Sequence, residues 1–280
     1  MEIPVWKSGS RGFELPVLGL GTWRMGEVAR RRRQELRALA LGLDLGFRLI
    51  DTAEMYGSGG AEELVGEAIA GRRDQVILVS KVLPENASRQ GTIQAAERSL
   101  RRLGTDCIDL YLLHWQGLHP LADTLLAFAR LEEAGKIRAF GVSNFDVAAL
   151  SGACSLPFGE RIVADQVLYN LSRRSVEAGL LGACRERGIA LMAYSPLEQG
   201  RLDFRGVLAS VAKRHSATPA QVALAWTLRQ DGVIVIPKAG NLEHVRENRG
   251  AVDLVLTDGD LEVLDAAYPA PEGPAPLEWL

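Results

Sequence analysis

Apolar positions along the chain fall into two alternating patterns. Eight short, nearly continuous apolar runs are bounded by turn residues: Val17 to Gly21, Leu49 to Ala53, Val76 to Val82, Ile108 to His114, Ile137 to Ser143, Ala164 to Tyr169, Ala190 to Ser195 and Val233 to Pro237. Between and after them lie amphipathic segments with one charged face: Glu27 to Leu45, Ala61 to Ala70, Thr92 to Leu103, Leu121 to Ala134, Val147 to Ala153, Val176 to Arg187, Pro219 to Arg229 and Leu242 to Arg249. Runs apolar on both faces predict strands buried on both faces, hence a parallel sheet with helical crossovers. Eight such units in 280 residues fit a closed (β/α)8 TIM barrel better than an open doubly wound sheet with a second domain. The segment VWKSGSRGFELP alternates around Ser8 to Gly12 and predicts an N-terminal β-hairpin. PAPEGPAPLEWL, residues 269 to 280, predicts an extended C-terminal tail. No composition shift divides the chain, so residues 1–280 are read as one barrel domain.

Composition narrows the picture only slightly. With 47% hydrophobic residues the chain can bury a large core, and a formal charge of -3 argues against a nucleic-acid partner. The basic run Arg30 to Arg33 lies between Glu27 and Glu35 and reads as a solvated helix face. Three widely spaced cysteines, Cys107, Cys154 and Cys184, suggest no disulfide framework and favour a reducing compartment. No signal-like or membrane-spanning stretch is evident, so the expectation is a cytoplasmic protein with no membrane partner, and a monomer, as nothing forces assembly.

A barrel carries its chemistry at the carboxyl ends of its strands. There the second run ends at Asp51 with Tyr56 in the following loop, the third at Ser80 and Lys81, and the fourth at His114 and Trp115. Taken singly, Asp51 could be a loop cap, Lys81 a solvated lysine and His114 a core histidine. Together on three consecutive strand ends they suggest an acid device. A phenol with an ordinary pKa of about 10 needs a neighbouring cation to act as an acid at neutral pH. A charge at ~4 Å in an effective dielectric near 20 is worth about 4 kcal/mol, which sets an upper bound on what Lys81 could do for Tyr56. Asp51 would hold the ammonium, and His114 would donate to a carbonyl oxygen. His114 and His119 lack a third ligand, so no metal is assigned. GSGGAE, from Gly57 to Glu62, lacks the third glycine of a dinucleotide fingerprint and comes too late for the first βα turn.

The segments GFRLIDTAEMYGSGGAEELVGEAI, VSKV, LGTDCIDLYLLHW, AFGVSNF, AYSPL and IPKAGNLEHVREN follow one another in an order that resembles the aldo-keto reductase superfamily over nearly the whole chain. The resemblance implies a catalytic tetrad of Asp51, Tyr56, Lys81 and His114, with Tyr56 as general acid and a reduced nicotinamide as hydride donor. It places Gly21, Thr22, Trp23 and Asp51 near that cofactor. It also assigns Ser143, Asn144 and Gln166 to the carboxamide and Tyr194 to stacking on the ring. Ser195, Pro196, Leu197, Lys238, Ala239, His244, Glu247 and Asn248 would meet its phosphates and adenosine. SNF could instead be a helix cap, and Tyr194 core.

One position departs from the family pattern. His244 stands where an arginine often meets the adenosine 2'-phosphate, and a neutral imidazole lacks the guanidinium fork. The expectation is NADPH as cofactor through Lys238, with NADH tolerated and a reduced margin between them. Trp23, Met55, Tyr56, His114 and Trp115 would line the substrate site. Short segments after His114, Ser195 and the last helix predict an open pocket for small aldehydes, 2-oxoaldehydes such as methylglyoxal, or aryl aldehydes. Two rival readings are a Schiff-base aldolase acting through Lys81 and a cofactor-holding regulatory subunit.

Overall fold

The computed structural model describes residues 2–9 and 12–280. Two antiparallel strands, β1 (Val5–Lys7) and β2 (Glu14–Pro16), form the N-terminal hairpin. Ser10 and Arg11, in the expected turn, lie outside the described residues.

Eight parallel strands follow: β3 (Leu20–Gly21), β4 (Leu49–Asp51), β5 (Ile77–Val82), β6 (Ile108–Leu113), β7 (Ile137–Ser143), β8 (Ile162–Leu168), β9 (Ala190–Tyr194) and β10 (Val233–Val235). Each pairs with the next in chain order. The ring closes through parallel bridges from Leu18 to Val235 and from Gly21 to Lys238. The first strand is shorter than the expected Val17 to Gly21, and Val17 contributes through its carbonyl, which accepts from the Val235 N–H at 2.8 Å. This is the (β/α)8 barrel.

The helices are α1 (Ala29–Asp44), α2 (Gly60–Ala68), α3 (Arg89–Leu103), α4 (Leu121–Glu133), α5 (Val147–Cys154), α6 (Leu180–Arg187), α7 (Gly206–Arg214), α8 (Pro219–Leu228), α9 (Leu242–Gly250) and α10 (Asp258–Ala267). Two of them, α7 and α10, were not anticipated. They stand outside the one-helix-per-strand alternation: α7 precedes α8 within the β9–β10 connection, and α10 follows the last crossover. The front of the expected Val176 to Arg187 helix is instead a 3-10 turn, Ser175–Ala178.

Two apolar layers result. One lies between strands and helices. The other fills the barrel interior with Leu49, Val79, Leu110, Leu112, Ala139, Ala164, Met192, Ile234 and Ile236. Leu15 of the hairpin joins the interior layer, with Trp6 and Phe13 against it. The Gly9 N–H bonds the Gly188 carbonyl just ahead of β9, so the hairpin closes the amino-terminal end of the barrel. The opposite end stays open for chemistry.

Candidate active site

Side chains alternate along a strand, so the residue two beyond an interior apolar position points the same way, one layer higher. Applied to the interior layer, this rule locates the site. Two beyond Leu49 is Asp51, beyond Val79 is Lys81, and beyond Leu112 is His114. Beyond Ala164 is Gln166, beyond Met192 is Tyr194, and beyond Ile236 is Lys238. All six line one cavity of about 1000 Å³ except Lys81, which is fully buried beneath it. Ser80 has the opposite phase and turns outward, donating to Glu62 at 2.6 Å.

Tyr56 reaches this layer from a loop. It begins a 3-10 turn, Tyr56–Gly59, in which Gly57 and Gly59 adopt φ of 56° and 96°. Glycine adopts such left-handed angles without a Cβ penalty. The loop therefore turns back sharply and starts α2 at Gly60.

The Lys81 ammonium donates to both Asp51 oxygens at 2.9 Å, to the Thr52 carbonyl at 2.8 Å and to the Tyr56 hydroxyl at 3.3 Å. Gln166 donates a further bond to Asp51 at 2.8 Å. The ion pair is fully desolvated, but each partner has the hydrogen bonds that such burial requires. The rings of Tyr56 and His114 meet edge-on with centroids 5.8 Å apart, and Trp23 packs against Tyr56 at 5.0 Å.

Burial, and then the Asp51 charge, raise the Tyr56 phenol well above its ordinary value. This reverses the expected effect of Lys81. The cost of burying a phenolate, reinforced by the nearby Asp51 carboxylate, outweighs what the Lys81 ammonium offers it at rest. Burial also lowers Lys81 against the opposing pull of Asp51. Burial, then the Lys81 charge, hold His114 well below its ordinary range, so its ring is neutral at physiological pH. Its Nδ1 is buried without a hydrogen-bond partner among the described residues. A neutral imidazole keeps one N–H to donate.

Around this centre Ser143 donates to the Gln166 carbonyl at 2.7 Å, Asn144 to the His114 carbonyl at 3.1 Å, and Tyr194 to the Asn144 side chain at 3.1 Å. The SNF segment is thus part of the site as well as a turn. Asn144 itself sits at φ 62°. The Gln166 amide oxygen makes no hydrogen bond among the described residues, leaving an acceptor suited to a carboxamide N–H.

Of the sequence-predicted site residues, Gly21, Thr22, Trp23, Met55, Tyr56, Trp115, Ser143, Asn144, Ser195, Pro196, Leu197, His244, Glu247 and Asn248 also line the cavity. Ala239 does not, because it is packed in the core between sheet and helices. Further lining residues were missed: Arg24, Arg31, Gln199, Phe204, Trp279 and Leu280. The expected extended tail has no regular structure, yet it is tied down. Glu278 pairs with Arg173 at 2.9 Å and its N–H bonds Ser175, and Leu280 lines the same cavity as Tyr194, whose phenol burial pushes up to about 12. The pocket is therefore less open than its short loops suggested.

Nothing in this geometry favours the aldolase alternative: Lys81 is fully buried and held from two sides by Asp51. Among the described residues no group of three or more His, Cys, Asp or Glu could hold a metal ion, and no helix is long and apolar enough to cross a membrane.

A barrel with an acidic, aromatic and cationic cleft at its carboxyl end is an enzyme scaffold whose cavity suits a long, anionic ligand. The family model described as the aldo/keto reductase family matches residues 17–269. The methylglyoxal reductase YeaE of Escherichia coli is 48% identical over 276 residues, covering 97% of each chain. A glyoxal reductase of Bacillus subtilis is 37% identical over 274 residues, covering 96% of this chain and 95% of its own. The crystal structure of an aldo/keto reductase from Klebsiella pneumoniae in complex with NADP and acetate superimposes with a TM-score of 0.96 at 44% identity, covering all of both chains. The chain belongs to the aldo/keto reductase family.

Proposed function

We propose that the protein reduces small aldehydes and 2-oxoaldehydes, methylglyoxal among them, to alcohols with NADPH. The observation that carries this reading is the unbroken contact of Asp51, Lys81 and Tyr56 beside a neutral His114, at the floor of a cavity that continues to Lys238. Further support comes from the relatives named methylglyoxal and glyoxal reductase, and from the Klebsiella structures holding NADP and NADPH.

When bound, a reduced nicotinamide would supply the hydride for the carbonyl carbon. Every other step falls to the chain. Gln166, Asn144 and Ser143 would hold the carboxamide, and Tyr194 would back the ring. The neutral His114 donates a hydrogen bond to the carbonyl oxygen and orients it toward Tyr56. As charge develops on that oxygen, Tyr56 delivers its proton, and Lys81 at 3.3 Å stabilises the phenolate left behind. Asp51 and the Thr52 carbonyl fix the ammonium so that it need not reorganise during the step. Burial, which makes Tyr56 reluctant to ionise at rest, keeps the proton in place until a carbonyl oxygen competes for it. Trp23, Met55 and Trp115 supply the apolar wall of the substrate site. On this reading one barrel domain carries both cofactor and substrate.

The test is NADPH oxidation with methylglyoxal, glyoxal and an aryl aldehyde, comparing wild type with Tyr56→Phe. Turnover by wild type and loss of kcat in the variant are expected. Failure of wild type to reduce any carbonyl would sink the proposal and leave the cofactor-holding, non-catalytic reading.

A further inference from the structure

The basic run at the start of α1 does not behave as a uniform solvated face. Arg32 leaves toward α2 and pairs with Glu67, whereas Arg31 lines the active-site cavity together with Arg24 and Lys238. None of these three side chains makes a hydrogen bond or ion pair among the described residues. Their neighbourhood nevertheless contains carboxylates: Glu35, which accepts from the Gly26 N–H at 3.1 Å, and Glu27. The Lys238 ammonium is lowered by burial, and it feels Arg31 and Arg24 pushing the same way while Glu35 and Glu27 oppose them. Three cations thus line one cavity, none of them paired with a carboxylate among the described residues.

The placement follows from the fold. Helix α1 packs against α9, which carries His244, Glu247 and Asn248 into the same cavity. Arginines at the first turn of a helix oppose its dipole, and α1 has no acidic residue there and no side-chain cap at Val28. Arg24 sits at φ 61°, an uncommon angle for a residue with a Cβ. By contrast Arg246, which is nearer in sequence to Lys238, does not line the cavity and reaches back toward the Leu242 carbonyl.

We infer that Arg31 is the residue that distinguishes NADPH from NADH in this protein: its guanidinium on α1 would meet the 2'-phosphate together with Lys238, where His244 offers no guanidinium fork. This rests on the NADPH reading above, and it would restore preference that His244 alone does not supply. Guanidinium offers the phosphate a two-pronged fork that imidazole lacks. Arg24 contributes to the same field.

The experiment compares kcat/KM for NADPH and for NADH, with methylglyoxal fixed, in wild type, Arg31→Gln and Arg30→Gln. A charge-assisted contact to phosphate at a partly exposed site corresponds to roughly a tenfold change. The NADPH to NADH ratio is expected to fall about tenfold in Arg31→Gln and less than about twofold in Arg30→Gln, which removes the same charge one residue earlier and outside the cavity. Fluorescence titration with NADP and NAD should give the same ordering of affinities. An unaltered ratio in Arg31→Gln, or an equal fall in both variants, overturns the assignment of Arg31. Absence of turnover and of binding with either dinucleotide in wild type instead overturns the underlying reductase reading.

Discussion

Tyr56 and His114 differ in what their surroundings do to their protons, and this has consequences for the pH profile. His114 is driven down by burial and by Lys81, so it stays neutral well below its ordinary value of about 6.5. The kcat/KM of carbonyl reduction should therefore show no inflection between about pH 5.5 and 8 that disappears in His114→Ala. Tyr56 is driven up, so its reactive, protonated form persists through neutrality, and activity should fall only on the alkaline side. Tyr56→Phe removes the donor while keeping the ring against Trp23, and should cost kcat roughly 10²- to 10⁴-fold in steady-state assays. At this scale much was legible. Asp51, Lys81 and His114 stand where apolar runs give out, in phase with the interior face, whereas Gln166, Tyr194 and Lys238 were marked only by the family resemblance. Arg31 was not legible, because its role depends on which helix packs beside α1. The sign of the Tyr56 shift was hidden too, since it depends first on how deeply the fold buries the phenol and then on how near it brings Asp51.

Among the elements, the loop leading into α1 and the start of α2 are held together by a contact between two glycines. Gly26 has φ 74°, and a Cβ there would lie 2.4 Å from the backbone of Gly60. Both loops serve the site, one with Trp23 and Arg24 and the other with Tyr56. Gly26→Ala should therefore destabilise the protein by about 2–4 kcal/mol in urea unfolding, more than a Gly→Ala change at the open position Gly152. The eight strands and eight of the helices could be read from periodicity because each repeats one unit. Helices α7 and α10 fall outside that repeat, and a count that already balanced left no place for them.

For the molecule as a whole, α10 is tied down by two carboxylates, Asp265, which accepts from Arg174 at 2.8 Å and from the Trp226 indole at 3.1 Å, and Asp260. Burial alone would raise Asp260, but bonds from Thr257, Arg214 and His215 outweigh it and hold the group below its ordinary value. A depressed carboxylate contributes stability above its unfolded pKa of about 3.9, and that contribution is lost as pH falls toward the folded value. Asp260→Asn should thus cost about 1–2 kcal/mol near pH 7, with the gap from wild type narrowing in melts below about pH 4. The tail is the other long-range tie, and it was the least legible part of the chain. Nothing periodic in PAPEGPAPLEWL points to the cavity, and its course depends on Glu278 meeting Arg173, 105 residues away. The two ends of the chain are consequently not equivalent as points of attachment. The hairpin lies at the closed pole, while Trp279 and Leu280 stand in the cavity wall. A purification tag joined after Leu280 would be delivered to the mouth of the pocket and should raise KM for bulky aryl aldehydes, whereas the same tag before the hairpin should leave it unchanged.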